Sequence, residues 1–202
     1  MIERLSQAAR RPVSRETFEK IEAYVALLRD ESGRQNLIAA STLDELWDRH
    51  IVDSAQLVRF EPRSGASWVD IGSGAGLPGV VIACLVDGPV KMVEPRRLRA
   101  DFLHKLCESL HLNATVFLGK AERAEGEYEV ITARAVANLS KVLEISAHLS
   151  TRKTVWALPK CRNAAAELAD AQKAWQGTFH VEQSVTDADS HIVVATGVRV
   201  RR

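Results

Sequence analysis

The segment from Asp70 to Gly79, DIGSGAGLPG, is the part of the sequence best suited to bind a small molecule. Its alternating glycines follow a predicted strand, at positions where side chains would keep a ligand away from the backbone. Gly74, Gly76 and Gly79 satisfy the GxGxxG spacing of nicotinamide-nucleotide sites. Asp70 precedes the glycines, where its carboxylate can accept a hydrogen bond from an amino group of S-adenosylmethionine. We therefore predict a nucleoside-cofactor site that includes Asp70, Gly72, Gly74 and Gly76.

Glu94 ends the next predicted strand and is a second candidate for the same site. A carboxylate there can accept two hydrogen bonds from the ribose diol of either cofactor. The length of 202 residues leaves little room for the separate substrate domain that most dehydrogenases carry. The choice between the two cofactors therefore favours S-adenosylmethionine, with a nucleotide-dependent oxidoreductase as the alternative.

The elements that must position these residues alternate between strand and helix from residue 62 onward. Such alternation predicts βαβ units, and hence a mainly parallel, doubly wound, Rossmann-like α/β sheet that binds ligands at the carboxyl ends of its strands. The chain is predicted to close with an antiparallel hairpin. The predicted strands are 68–71, 90–93, 114–118, 130–133 and 154–158, the helices are 78–85, 97–110, 139–149 and 163–175, and the hairpin pairs 179–186 with 192–200.

The first 61 residues are predicted to form a helical extension that packs on a catalytic domain of residues 62–202. Ser14 is placed to cap a helix over 15–29, which carries an apolar stripe. Thr42 and Glu45 have the spacing of a capping box, which predicts a second helix running to residue 60.

Composition limits the possible partners and compartments. The net charge is +1, and the three cysteines are far apart in the sequence, without the spacing of a zinc site or a disulfide framework. The most apolar stretch, residues 77–86, is about half the ~20 residues of a membrane helix. We therefore expect a cytoplasmic protein with no metal site and no membrane partner. Basic residues cluster locally at 10–11, 96–99 and 199–202.

Read in order, the motifs resemble those of the RsmG (GidB) family, bacterial methyltransferases that act on guanine N7 of 16S ribosomal RNA. The resemblance runs from about residue 36 to residue 202. It includes Asn36-Leu37 followed by RHIVDS at 49–54, the Leu-Pro-Gly tail of the glycine loop, and RR…FL at 96–103. Further matches are Ala121-Glu122, Arg134-Ala135 and ALPK at 157–160. The sequence departs from the family pattern at Ala133, where serine is common, and at Cys161, where glycine is usual.

The resemblance implies a class I methyltransferase fold that binds S-adenosylmethionine. The implied acceptor lies in the 530 loop of 16S ribosomal RNA, within the small ribosomal subunit or an assembly intermediate, and the enzyme is expected to be a monomer. The resemblance implies Arg134 as the catalytic residue. The cofactor contacts that it implies are Gly72, Leu77, Ala121, Glu122 and Arg134, and the implied RNA contacts are Arg49, Arg97 and Lys160.

The implied reaction needs no general base, because guanine N7 already carries a free lone pair. Catalysis then depends on orientation and on the exclusion of water. His50 is accordingly interpreted as a structural histidine that packs against the catalytic domain. A non-catalytic RNA-binding protein on the same fold remains as a further alternative, although the glycine loop, Glu94 and Arg134 argue against it.

Overall fold

A seven-stranded sheet forms the centre of the computed structural model, which describes residues 1–39, 42 and 44–201. The strand order is β3-β2-β1-β4-β5-β7-β6. Strands β1 to β5 are parallel to one another, and β7 runs antiparallel between β5 and β6. The predicted α/β fold with a terminal hairpin is therefore confirmed. The strands are β1 (Trp68–Ile71), β2 (Val90–Glu94), β3 (Ala114–Leu118), β4 (Tyr128–Ala133), β5 (Ser150–Lys160), β6 (Trp175–Gln183) and β7 (His191–Val200).

Helices cover the sheet and return the chain between the parallel strands, as right-handed crossover units require. They are α4 (Gly79–Leu85), α5 (Arg97–Ser109), α6 (Leu139–Ser146) and α7 (Ala164–Ala174), preceded in the extension by α1 (Ile2–Ala9), α2 (Arg15–Ser32) and α3 (Asp53–Ala55). Leu98 in the first turn of α5 is 69% exposed, whereas Phe102, Leu103 and Leu106 are buried on one face of the helix. The first turn of α5 stands at the ligand-binding edge of the sheet, beyond the apolar core.

The extension differs from its predicted form in two places. Helix α1 was not predicted, while α2 begins as expected at Ser14, whose hydroxyl accepts a hydrogen bond from the Thr17 backbone N–H at 3.0 Å. The predicted helix over 42–60 is confirmed only in part: the chain is helical without a break from 46 to 60, but not as a regular α-helix. The chain instead forms a π-helix (Trp47–Val52), the single turn α3 and a 3₁₀ helix (Gln56–Phe60). Thr42 makes a turn with Ala39 through both its N–H and its hydroxyl, each at 2.9 Å; Leu43 lies outside the described residues.

The extension shares an apolar core with one face of the sheet. Leu5, Ile21, Leu28 and Ile51 are fully buried in the same cluster as Trp68. Burial of such side chains stabilises the folded state by about 1.5–3 kcal/mol each. The extension is thereby held against α4 and β1, which flank the glycine loop. Within the described residues, no helix is both long and apolar enough to cross a membrane.

Candidate functional site

The glycine loop turns sharply at the carboxyl end of β1 and is attached to β2. The backbone N–H groups of Gly72 and Ser73 both donate to the Val93 carbonyl, at 2.8 and 3.1 Å. Gly72, Gly74 and Gly76 have φ values of +69°, +53° and +96°. These lie in the left-handed region that residues other than glycine rarely adopt. The alternation of glycines seen in the sequence is therefore required by the backbone of this turn.

At Gly74 a side chain would meet the protein without a clash. A Cβ atom placed on Gly74 would lie 3.5 Å from Arg99 Nη1 and 3.7 Å from the Gly72 carbonyl oxygen, which are ordinary contacts. On Gly72, by contrast, it would lie 2.7 Å from Val136 Cγ2. The loop is thus crowded on the side facing Val136, whereas Gly74 is buried but has no such close contact.

Glu94 lies at the end of β2, beside Gly74, and is 3% exposed. Its Oε2 accepts from the Gly74 N–H at 2.9 Å, and its Oε1 accepts from the Arg96 N–H at 2.8 Å. Each carboxylate oxygen retains a further acceptor position. The carboxylate therefore fixes the loop to β2 and is still able to accept hydrogen bonds from a diol.

Asp70, predicted to contact the cofactor, is 1% exposed and bonds to the protein itself. Its Oδ2 accepts from the Gly79 N–H at 3.1 Å and its Oδ1 from the Thr132 hydroxyl at 3.0 Å. Burial raises the pKa of this carboxyl to about 6. The geometry thus gives Asp70 a positioning role, in which it ties β1 to the start of α4 and to β4, and it offers no support for a direct contact with an amino group.

Tyr24, which the sequence analysis missed, supports the glycine loop from the extension. It is fully buried, and its hydroxyl donates to the Ala75 carbonyl at 3.0 Å. Burial raises the pKa of Tyr24 well above its ordinary value, so the hydroxyl stays protonated. The signal in the sequence was a tyrosine placed next to Val25 on the buried side of α2, where a hydroxyl needs a partner.

Ala121, Glu122 and Leu77 are brought to the same edge of the sheet. Ala121 and Glu122 lie in a 3₁₀ turn after β3, where Ala121 is buried and Glu122 exposed. That turn is adjacent to Glu94, whose carbonyl accepts from the Gly119 N–H at 3.1 Å. Leu77 is 4% exposed and forms the apolar floor of the loop.

Arg134 follows β4 and is held by the extension. Its Nη1 donates to the Arg49 carbonyl at 3.2 Å and to Asp53 Oδ2 at 3.4 Å, and its Nη2 donates to His50 Nδ1 at 3.0 Å. Burial, with Arg134 nearby, lowers the pKa of His50 to about 4. The imidazole is therefore neutral, accepting at Nδ1 and donating from Nε2 to the Thr42 hydroxyl at 3.0 Å. His50 is a polar support for Arg134 in addition to packing on the catalytic domain.

A cavity of about 460 Å³ lies at the carboxyl ends of β4 and β5, beside Arg134. The π-helix, the loop between β4 and α6, and the turn between β6 and β7 enclose it. Ala135 and Ala137 line this cavity, whereas Val136 between them contacts the glycine loop. The segment 135–137 therefore stands between the glycine loop and the cavity. The cavity is lined by Thr42, Arg49, His50, Asp53, Arg134, Ala135, Ala137, Pro159, Lys160, Cys161, Asn163, Glu167, Thr186, Asp187, Ser190 and His191.

The three predicted RNA contacts are in different environments. Lys160 is 9% exposed, and its ammonium donates to the Ala137 carbonyl at 2.8 Å and to Glu167 Oε2 at 2.9 Å. With both partners inside the protein, Lys160 is a support of the 135–137 segment, and its placement does not favour a phosphate contact. Arg49 is exposed at the rim of the cavity, and Arg97 is exposed at the start of α5, near the glycine loop.

Metal chemistry finds no support in this part of the molecule. Among residues 1–39, 42 and 44–201, no group of three histidine, cysteine or acidic side chains is arranged to hold a metal ion. The cysteine in the cavity, Cys161, is exposed and free.

Comparisons with known proteins agree on one family. A family model described as GidB, rRNA small subunit methyltransferase G, matches residues 17–193. Two proteins named ribosomal RNA small subunit methyltransferase G are similar to the chain. The protein from Zymomonas mobilis is 44% identical, with 94% of this chain and 90% of that protein covered. The protein from Sphingopyxis alaskensis is 48% identical, with 91% and 80% covered.

Among solved structures, a SAM-dependent methyltransferase from Aquifex aeolicus has a TM-score of 0.60 at 15% identity. The alignment covers 79% of this chain and 99% of that one. At this identity the similarity shows the fold alone, which agrees with the predicted Rossmann-like methyltransferase architecture.

Proposed function

Because the chain belongs to the rRNA small subunit methyltransferase G (GidB) family, we propose that it methylates small-subunit ribosomal RNA with S-adenosylmethionine as the methyl donor. The observation that carries this proposal is the match over residues 17–193, which contains both the glycine loop and Arg134. The finer target is guanine N7 in the 530 loop of 16S ribosomal RNA.

The residues around the glycine loop fit the adenosyl part of this cofactor. Gly74 has a positive φ and no close contact at the position of a Cβ atom, and Glu94 retains acceptor positions for ribose hydroxyls. Ala121 and Glu122 lie beside Glu94, where they can contact the adenine edge. The same features fit the adenosine of a nicotinamide nucleotide, so the family match decides between the two cofactors.

The cavity beside Arg134 is the proposed place of the acceptor guanine. Arg134 has five N–H donors, and three hydrogen bonds hold it within the described residues. The remaining donors can face guanine O6, an RNA phosphate or the methionine carboxylate. Because the guanidinium is fixed by Asp53 and His50, it presents these donors without further ordering, which supports a role in orientation.

The chemistry requires orientation rather than proton transfer. When bound, S-adenosylmethionine supplies an electrophilic methyl group: the N7 lone pair forms the new N–C bond while the S–C electron pair returns to sulfur. The product base carries the positive charge that the sulfonium loses, so charge balances without a general base. His50 is neutral and hydrogen-bonded at both ring nitrogens, which agrees with a positioning role.

The RNA itself is expected to cover the site. Arg49 at the cavity rim and Arg97 near the glycine loop lie on either side of segment 135–137 and are placed to contact phosphates of one strand. Because the net charge of the protein is only +1, electrostatic attraction is supplemented by shape recognition within an assembled subunit or assembly intermediate. A monomer is sufficient, because the extension supplies the residues that complete the site.

Calorimetric titration with S-adenosylmethionine and with NADH tests the cofactor, using Gly74→Ala beside Gly197→Ala. Both glycines have similar positive φ values, +53° and +62°, so both variants carry similar backbone strain. A Cβ on Gly197 meets nothing within 4 Å and lies outside the site. We expect both variants to lose about 1 kcal/mol of stability, while only Gly74→Ala loses affinity for S-adenosylmethionine.

Methyl transfer is then measured on small ribosomal subunits that lack the modification. The methylated base is located by cleaving the RNA at the modified nucleotide and mapping the cleavage site by primer extension. Methylation of one guanine at N7 is the expected result. Binding of NADH without S-adenosylmethionine would overturn the cofactor assignment, and methylation elsewhere in the RNA would overturn the finer target.

A further inference from the structure

A cluster of cations lies at the edge of the sheet opposite the glycine loop. There β5 begins at Ser150, β6 begins at Trp175 and β7 ends at Val200, in three adjacent strands. We call this cluster the distal basic patch. Its members are Arg152, Lys153, Arg199 and Arg201, all exposed.

Two of the cations share one hollow. Arg152 and Arg199 line a concavity of about 400 Å³ together with Gln176 and Val200. Gln176 is the register neighbour of Arg199, and its side-chain amide donates to the Val200 carbonyl at 3.4 Å. Two guanidinium groups therefore face the same small volume, where their mutual repulsion is relieved by an anion.

Among the described residues, the protein supplies no such anion. No aspartate or glutamate occurs in residues 145–166, 171–181 or 190–202, the segments that form these strand ends. In the described part of the chain, no carboxylate lies within ion-pair distance of any of the four patch cations. The nearest strand, β4, carries Glu129, which is already paired with Arg63.

Protection of the sheet edge does not explain the arrangement. Charged side chains on an edge strand prevent pairing with other chains. The edge strand here is β6, whereas Arg152 and Arg199 belong to β5 and β7, which have strands on both sides. The two arginines therefore call for a ligand.

We propose that the distal basic patch binds the phosphate backbone of the substrate RNA, away from the methylated nucleotide. The proposal rests on the proposed function, in which RNA is the substrate. Guanidinium groups bind phosphate oxygens with paired hydrogen bonds. Strand β5 runs from Arg152 to Lys160 at the cavity, eight residues apart, which corresponds to about 26 Å at ~3.3 Å per residue. An RNA held at both places must follow the sheet over this length.

The test compares RNA binding by the full-length protein as a function of salt concentration. The variant is Arg152→Gln/Arg199→Gln, and the matched control is Arg15→Gln/Lys20→Gln, which removes two surface charges from α2. Two protein-free RNAs that contain the target loop are used: a minimal one too short to span both places, and a longer one with its flanking helices. Binding is followed by fluorescence anisotropy with S-adenosylmethionine present.

For the longer RNA, the patch variant is expected to lower the slope of log affinity against log salt by about 1.4–1.8, since each of two phosphate contacts contributes about 0.7 on a single strand and about 0.9 on a duplex. For the minimal RNA, and for the control variant with either RNA, the slope should stay at its wild-type value. Cofactor affinity and melting temperature should also be unchanged, which separates the effect from misfolding.

An unchanged slope with the longer RNA would overturn the proposal. A loss of activity on assembled subunits without any loss on protein-free RNA would also overturn it, because the patch would then contact a protein. Failure of the proposed function is distinguishable, since it would appear in the wild-type enzyme as absent methyl transfer to either substrate.

Discussion

Replacing Lys160 by methionine is expected to lower the stability of the protein without weakening its electrostatic attraction to RNA. The ammonium of Lys160 donates to the Ala137 carbonyl and to Glu167, and Glu167 also accepts from the Leu139 N–H at 2.8 Å. These contacts join the end of β5 to the loop between β4 and α6 and to the first turn of α6. Methionine keeps the length and the apolar stem of the side chain and removes only the charge.

The expected magnitude follows from burial. Breaking a buried ion pair costs about 3–5 kcal/mol, because the remaining charge is left without a partner. Lys160 is 9% exposed, but Glu167 is 28% exposed and keeps the Leu139 N–H, so we expect about 2 kcal/mol. For a protein of this size, this lowers the melting temperature by about 4–8 °C. The rate of methyl transfer should also fall, since the segment 135–137 loses an anchor next to Arg134.

The assay combines thermal unfolding, turnover at saturating substrate and the salt dependence of RNA binding. Lys141→Met serves as the control, because Lys141 is half exposed and its ion pair with Glu144 contributes little to stability. An unchanged melting temperature, together with a salt slope reduced by about 0.7, would refute this reasoning. Lys160 would then contact an RNA phosphate, as the resemblance implied.

Three further outcomes are expected. Tyr24→Phe should cost about 1–2 kcal/mol by leaving the Ala75 carbonyl unpaired, measured by denaturant unfolding, and should weaken S-adenosylmethionine binding; unchanged stability would contradict the support role. Because the folded pKa of Asp70 is raised to about 6, the folded state binds the extra proton below that value. Stability relative to Asp70→Asn should therefore fall by roughly 2 kcal/mol as pH rises from about 4 to 6; a rise would reverse the sign. Nuclear magnetic resonance should find His50 neutral down to about pH 5. Titration of His50 near pH 6.5 would contradict its contact with Arg134.

The parts of the site that depend on short sequence patterns were predictable. The glycine loop is predicted by its position between a strand and a helix and by backbone angles that only glycine adopts readily. Glu94 was predicted because a residue that ends a parallel strand must lie at the ligand edge. The parallel arrangement of β1 to β5 follows from the same alternation of strands and helices.

Contacts between segments distant in the chain could not be predicted in this way. Whether Lys160 reaches solvent depends on α7, which places Glu167 beside it. The residues next to Lys160 in the sequence do not predict this contact. The support from Tyr24 to the glycine loop spans 51 positions. A π-helix stands where a regular helix was predicted, and Arg134, from another segment, donates hydrogen bonds to its Arg49 carbonyl and to Nδ1 of His50.

The junction between the extension and the terminal hairpin sets an order on folding during synthesis. The Gln56 side chain donates to the Ser184 hydroxyl at 2.9 Å, and the two residues are 128 positions apart. At about 5–20 residues per second, the ribosome needs about 6–25 s to complete that interval. Throughout it, the extension exists without the last strands that fix Gln56. The contact between Gln56 and Ser184 therefore forms only after β1 to β6 have been synthesised.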